Sequence, residues 1–244
     1  MEKNRPRLDE LCERATKRDT PQFSRFLDLS AQKEAEIAAR KASAEYLLFG
    51  GAEDCERRIL GVGRQIPSAE EFPIDCLRVA PKNRRFSAPL SHRDVLGTVM
   101  GLGLEREMIG DIVIREEAAY LFCVRSISPL LLEGLTRIGR SDTNCVLSEP
   151  PEGALRQTRE VRLQVTSPRL DAVVAHLYRL SRGDVQNLLR QGKIAVDDLV
   201  RDKPDYQLKD GEILSVRGFG RARYVGIESL SKKGKNNLLI EIYV

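Results

Sequence analysis

Arg182, Gln186, Arg190 and Lys193 step along the chain by four, four and three residues. On a helix, that spacing sets the first three on one face and leaves the lysine just past the end. Three cations and an amide in a row suit a phosphodiester backbone. Arginine offers a planar fork to phosphate oxygens, and lysine offers a point charge. A solvated helix face is the competing reading of such a stripe. Arg169 and Ser181 precede it, and Lys203, Arg217, Arg221 and Arg223 follow, so we include all of these as candidate RNA contacts. A second basic set, Lys82, Arg84, Arg85, His92 and Arg93, lies near the helix start that Ser91 predicts. Cations beside the N–H groups of a helix N-terminus make an anion site. A solvated loop is the alternative there.

Residues for bond-making chemistry are scarce. Gly61-x-Gly63 and Gly101-x-Gly103 lack the third glycine of a dinucleotide loop, and there is no phosphate-binding GK[ST] loop. The two histidines, His92 and His176, are far apart. His92 and Asp94 stand two apart on a helix, which points them away from each other. The five cysteines are scattered with no Cys-x-x-Cys pair, so zinc and redox motifs are poorly supported. The expectation is no catalytic residue, no metal site and no cofactor. The cysteines read as buried thiols in a reducing cytosol.

The elements that must hold the stripe are legible. Leu170, Val173, Val174 and Leu177 fall at helical spacing and form one apolar face. Val185, Leu188 and Leu189 repeat this on a shorter helix, with Ser181 as N-cap and Gly192 just beyond its end. Ile213 to Arg217 reads as a strand running into a Gly218-Phe219-Gly220-Arg221 turn, and Leu238 to Val244 is a last strand. Lysines at 232, 233 and 235 sit in the turn before it. Charge is uneven: residues 169–244 hold 14 Lys and Arg against 10 Asp and Glu, whereas the whole chain holds 40 against 36. The preceding residues are therefore neutral, and the attraction for a polyanion lies at the C-terminal end.

At 244 residues, 41% hydrophobic and 31% charged, the chain suits two or three small domains. No apolar run approaches a membrane span and no secretory signal opens the chain, so a soluble cytoplasmic monomer is expected. The predicted class is α+β in three domains. Residues 1–70 form a mostly helical α/β domain. Leu8, Leu11, Cys12 and Ala15 make one helix face; Thr20-Pro21 reads as the start of another; Ser30 starts a third. Residues 46–51 read as a strand and turn, 52–60 as a short helix and 61–64 as a loop. Residues 71–150 then read strand, helix, strand, strand, helix, strand, the ferredoxin-like or RRM-like order. Tyr120 and Phe122 share a face of its third strand, where bases could stack; the competing reading packs that face against the helices, and Leu121 and Cys123 could equally be the buried set. Residues 151–164 are a Pro- and Gly-containing linker with a lead-in strand, and 165–244 form the last domain.

The ordered pieces from Arg169 to Arg223 resemble the S4 RNA-binding module of ribosomal proteins and RNA-modifying enzymes. Asp197 stands where that module often carries Asn, which makes the position doubtful as a contact. Phe49-Gly50-Gly51, Glu56-Arg57, Ser91-His92-Arg93-Asp94 and Gly110-Asp111-Ile112 extend the resemblance over nearly the whole chain, to the YlmH-type S4 proteins of Gram-positive bacteria and their cyanobacterial or plastid relatives. That resemblance implies RNA as partner, namely large-subunit rRNA and tRNA. It also implies association with the large ribosomal subunit in quality control of stalled peptidyl-tRNA complexes, without catalysis and without a membrane. The cytoplasmic expectation leaves a plastid location open if the source is a photosynthetic eukaryote, though no transit peptide is seen. The alternatives are an RNA-modifying enzyme, a methyltransferase or pseudouridine synthase with an unreadable active site, and a cell-division-linked interaction protein.

Overall fold

A computed structural model describes residues 5–18, 20–83, 88–153, 155, 157–231 and 234–243. The chain divides into two compact units, Met1–Leu155 and Arg156–Val244.

The first unit opens with helix α1 (Arg5–Lys17), strand β1 (Gln22–Leu27), helix α2 (Leu29–Lys41), and strands β2 (Glu45–Phe49) and β3 (Arg58–Gly63). The strands form an antiparallel sheet in the order β1-β3-β2. Leu8, Cys12 and Ala15 of α1 and the alanines of α2 cover one face of it, against Leu27, Leu60 and Val62.

Three expectations for this region fail. Thr20-Pro21 does not start a helix, because the following Phe23 and Phe26 lie on β1, where aromatic side chains fit a pleated, half-buried surface. Helix α2 starts at Leu29, not Ser30, with Asp28 as its N-cap; the Asp28 carboxylate accepts the Ala31 N–H at 2.8 Å. Residues 52–60 and 61–64 are not helix and loop, since Arg58–Gly63 is the central strand. The glycines that suggested a loop serve packing instead. A Cβ on Gly61 would come within 2.6 Å of the Phe72 ring.

The same unit continues with β4 (Ile74–Pro81), α3 (His92–Gly101), β5 (Ile109–Arg115), β6 (Ala118–Val124), α4 (Ser128–Gly134), β7 (Arg137–Ile138) and β8 (Ser141–Leu147). The sheet order is β5-β6-β4-β8-β7, all antiparallel, which is the expected ferredoxin-like arrangement with a short extra hairpin at one edge. Ser91 caps α3 as the sequence implied, accepting the Asp94 N–H at 3.2 Å. One sheet face, with Leu77, Val79, Leu121 and Cys123, packs on α3 and α4 through Val95, Val99 and Leu131. The other face meets the back of the N-terminal sheet: Phe122, Cys76 and Val113 pack with Phe26, Ile59 and Phe72.

The second unit holds β9 (Thr158–Val165), α5 (Leu170–Tyr178), α6 (Arg182–Arg190), β10 (Ile194–Val196), β11 (Leu199–Val200), β12 (Ile213–Val216), β13 (Gly220–Leu230) and β14 (Asn236–Tyr243). Its six strands run antiparallel in the order β11-β10-β12-β13-β14-β9. The predicted apolar faces are the ones buried. Leu170, Val173, Val174, Val185 and Leu189 meet Ile194, Leu214, Val216 and Leu238 in one core.

Candidate nucleic-acid interface

Helix α6 is held at both ends by its own residues. Ser181 Oγ accepts the Asp184 N–H at 3.1 Å, and the Asp184 carboxylate accepts the Ser181 N–H at 3.2 Å, a reciprocal capping box. The same carboxylate accepts the Ser181 hydroxyl proton at 2.6 Å, so this hydroxyl acts first as a cap. At the other end Gly192 turns left-handed, with φ +63°, and the Lys193 N–H returns to the Leu188 carbonyl at 2.9 Å. Burial of Val185 and Leu189 sets the rotation of the helix and so leaves Arg182, Gln186 and Arg190 exposed.

Neither arginine of the stripe is drawn into a carboxylate. Arg190 Nη2 donates to Asn187 Oδ1 at 2.8 Å and its Nε reaches the Gln186 carbonyl at 3.4 Å. Arg182 has no ion pair among the described residues. Lys193, half-buried, accepts the Arg217 N–H on its carbonyl at 2.9 Å, which brings the two cationic residues side by side. Lys193, Ser215, Arg217 and Arg221 line a groove of about 410 Å³ at the edge of β10 and β12. Asp198 lies in the same groove, 3.3 Å from Arg221 Nη2. The groove is cationic on balance, which suits a phosphate.

Other expected contacts are differently placed. Arg169 grips Asp171 with both Nε and Nη2, at 3.0 and 2.9 Å, and this partner holds the guanidinium proton more firmly than usual. Arg223 lies 3.7 Å from Glu241, and Lys203 is exposed. The structure resolves the doubt over Asp197: it is 6% exposed, left-handed at φ +48°, and its carboxylate accepts the Ile213 N–H at 2.8 Å. The turn geometry is met and the charge faces backbone, away from solvent.

In the first unit, Lys82, His92 and Arg93 are exposed, whereas Arg84 and Arg85 lie outside the described residues. The N-terminus of α3 already carries an anion of its own, because Ser91 Oγ donates to Asp94 Oδ2 at 2.6 Å. Tyr120 and Phe122 do not offer a stacking surface. Phe122 is fully buried against the N-terminal sheet, and Leu121 and Cys123 are buried on the helix side. Sequence reasoning passed over Phe219 as a contact; it is 43% exposed between Gly218 and Gly220, which line the groove. Its signal was an aromatic residue flanked by glycines within a basic turn.

Among the described residues no cluster of His, Cys, Asp and Glu is set to hold a metal ion, and no helix is long and apolar enough to cross a membrane. A helix pair on an antiparallel sheet beside a cationic rim is the build of an S4-type RNA-binding protein, and the S4 domain family matches residues 168–214. A second family, described as a putative RNA-binding domain in YlmH, matches residues 67–149. The chain is 31% identical over 220 residues to ribosome-associated protein quality control protein P2 of Bacillus subtilis (strain 168), covering 88% of this chain and 85% of that one. The chain belongs to the YlmH family of S4-domain RNA-binding proteins. The solved structure of cell division protein ylmH from Streptococcus pneumoniae shares the fold, with a TM-score of 0.50 at 23% identity over 61% of this chain and 92% of that one.

Proposed function

We propose that this protein is a non-enzymatic, monomeric, cytoplasmic RNA-binding factor that engages rRNA and tRNA on the large ribosomal subunit during quality control of stalled peptidyl-tRNA complexes. The observation that carries this reading is the open stripe of Arg182, Gln186 and Arg190, continued by the groove of Lys193, Arg217 and Arg221. The name of the Bacillus relative, a ribosome-associated quality control protein, supports the ribosomal setting. Arg169, Ser181, Lys203 and Arg223 contribute second, since they lie outside the lining of that groove and a carboxylate or a cap engages three of them. Lys82, His92 and Arg93, exposed on the middle domain, add further contacts, and Arg84 and Arg85, outside the described residues, belong to the same proposal by sequence. The domain boundaries near residues 70 and 150 are part of the same proposal, with one RNA-facing surface on each of the two later domains.

The test is co-sedimentation with large subunits carrying peptidyl-tRNA. Arg182→Ala with Arg190→Ala reduces the bound fraction while the melting temperature stays at the wild-type value, because both side chains lie outside the core. Unchanged co-sedimentation would mean that the stripe is only solvated. Saturable binding of S-adenosylmethionine would favour an RNA-modifying enzyme instead.

A further inference from the structure

We propose that Phe219 is a base-stacking platform, and that the second unit therefore takes RNA presenting an unpaired nucleotide beside the phosphate groove. This rests on the RNA-binding reading above and specifies the form of the RNA.

The turn from Gly218 to Gly220 joins β12 to β13 and is closed by the Phe219 N–H on the Val216 carbonyl at 2.9 Å. Both glycines have positive φ, +92° and +122°, and a Cβ at either would meet nothing within 4 Å. The backbone on either side of Phe219 is therefore uncrowded. Scattered exposed apolar side chains are ordinary at a protein surface, Val200 and Leu230 among them here, but among the described residues Phe219 is the one exposed aromatic side chain, 43% exposed at the end of a hairpin. It is not loose: its ring leans on Tyr178, centroid to centroid 5.4 Å at 51°. Tyr178 is the last residue of α5 and is itself half-buried, so the platform is braced from below.

The chemistry around the ring selects the ligand. Arg217 and Arg221 flank Phe219 two residues on either side, and Lys193 touches the Arg217 backbone. A lone apolar ring among cations is a poor site for an apolar partner. It is a good site for a nucleotide, whose phosphate meets the charges while its base meets the ring. In a duplex each base face is covered by its neighbours, so only an unpaired base can present one. The middle-domain sheet cannot substitute, since Phe122 is buried.

The full-length chain is titrated with two loop-free RNA duplexes of the same sequence and ends, one fully paired and one carrying bulged, unpaired adenosines. Phe219→Ala lowers affinity for the bulged duplex by about 10-fold and leaves the fully paired duplex unchanged, as expected for the loss of one stacked base. Phe219→Leu, which keeps an apolar contact with Tyr178 but has no aromatic face, behaves like the alanine variant. The chain has no tryptophan, so Phe219→Trp is a sole reporter. Its emission is quenched by the bulged duplex and not by the fully paired one, and affinity is restored. Equal affinities of wild type and Phe219→Ala for both duplexes, or a Phe219→Trp emission that neither changes, would overturn the stacking proposal alone. Failure of the wild type to bind either duplex would overturn the RNA-binding reading together with it.

Discussion

Asp111 on β5 and Glu56, 55 residues earlier, are joined by a 2.7 Å hydrogen bond from the Glu56 backbone N–H to Asp111 Oδ2. The other oxygen accepts the Arg57 N–H at 3.1 Å, and Arg57 Nε donates to the Ile109 carbonyl at 3.0 Å. One buried carboxylate thus pins the turn before β3 to the neighbouring sheet. Gly110 allows the approach, since a Cβ there would come within 2.7 Å of the Phe26 ring. Asp111→Ala leaves two sheltered N–H groups unsatisfied and is expected to cost about 2–3 kcal/mol. Asp111→Asn, which keeps one acceptor, costs less. Urea unfolding measures both; a midpoint equal to wild type in the alanine variant would show that the contact is dispensable.

Phe122 and Phe219 make opposite predictions from the same residue type. Phe122 is fully buried between two sheets, so Phe122→Ala opens a cavity and costs about 3–5 kcal/mol. RNA affinity, measured where the variant is still folded, stays at the wild-type value. A loss of RNA affinity in folded Phe122→Ala, with stability intact, would mean that the sheet face opens to ligand.

The α6 stripe should be visible in the salt dependence. Each phosphate contact contributes about 0.7 to 0.9 to the slope of log affinity against log salt. Arg182→Ala with Arg190→Ala lowers that slope by about 1.5, whereas Gln186→Ala weakens binding without changing it. Arg169→Ala has a smaller effect on the slope, since Asp171 already neutralises that guanidinium. A slope unchanged in the double variant would separate these arginines from the phosphates.

Alkaline pH should weaken the first unit. Burial pushes the Cys76 and Cys123 thiols from 9.0 up to about 12. In the unfolded chain they lose their protons near pH 9, while the folded chain retains them. The unfolded state therefore gains from rising pH, and stability is complete below about pH 9 and falls progressively toward pH 12. Melting curves across this range check the sign. Substituting both thiols by Ala flattens the profile, and an equally steep loss in that variant would assign it to other groups.

How far the chain could be read depended on what each residue answers to. The C-terminal helices were legible because local rules sufficed: Ser181 with Asp184 caps, Val185 and Leu189 point inward, and Gly192 stops the helix. The middle βαββαβ order was legible for a similar reason, each strand being short, apolar and bounded by a turn. Residues 20–27 and 52–64 were misread because their conformation comes from partners elsewhere. Phe23 and Phe26 become strand by pairing with β3, and the charged turn at 53–57 is shaped by Asp111. No local pattern carries a hydrogen bond across 55 residues.

The order of residues along the chain determined the S4-type unit, its exposed Arg182, Gln186 and Arg190, and its excess of positive charge, because helix periodicity and capping act within a few residues. Tertiary structure alone decided which cations remain available and which aromatic faces are covered. Asp171 engages Arg169, Asp198 meets Arg221, the N-terminal sheet hides Phe122, and Phe219 is left at the surface. The physical reason is that availability is a property of neighbours in space, and those neighbours come from distant parts of the sequence.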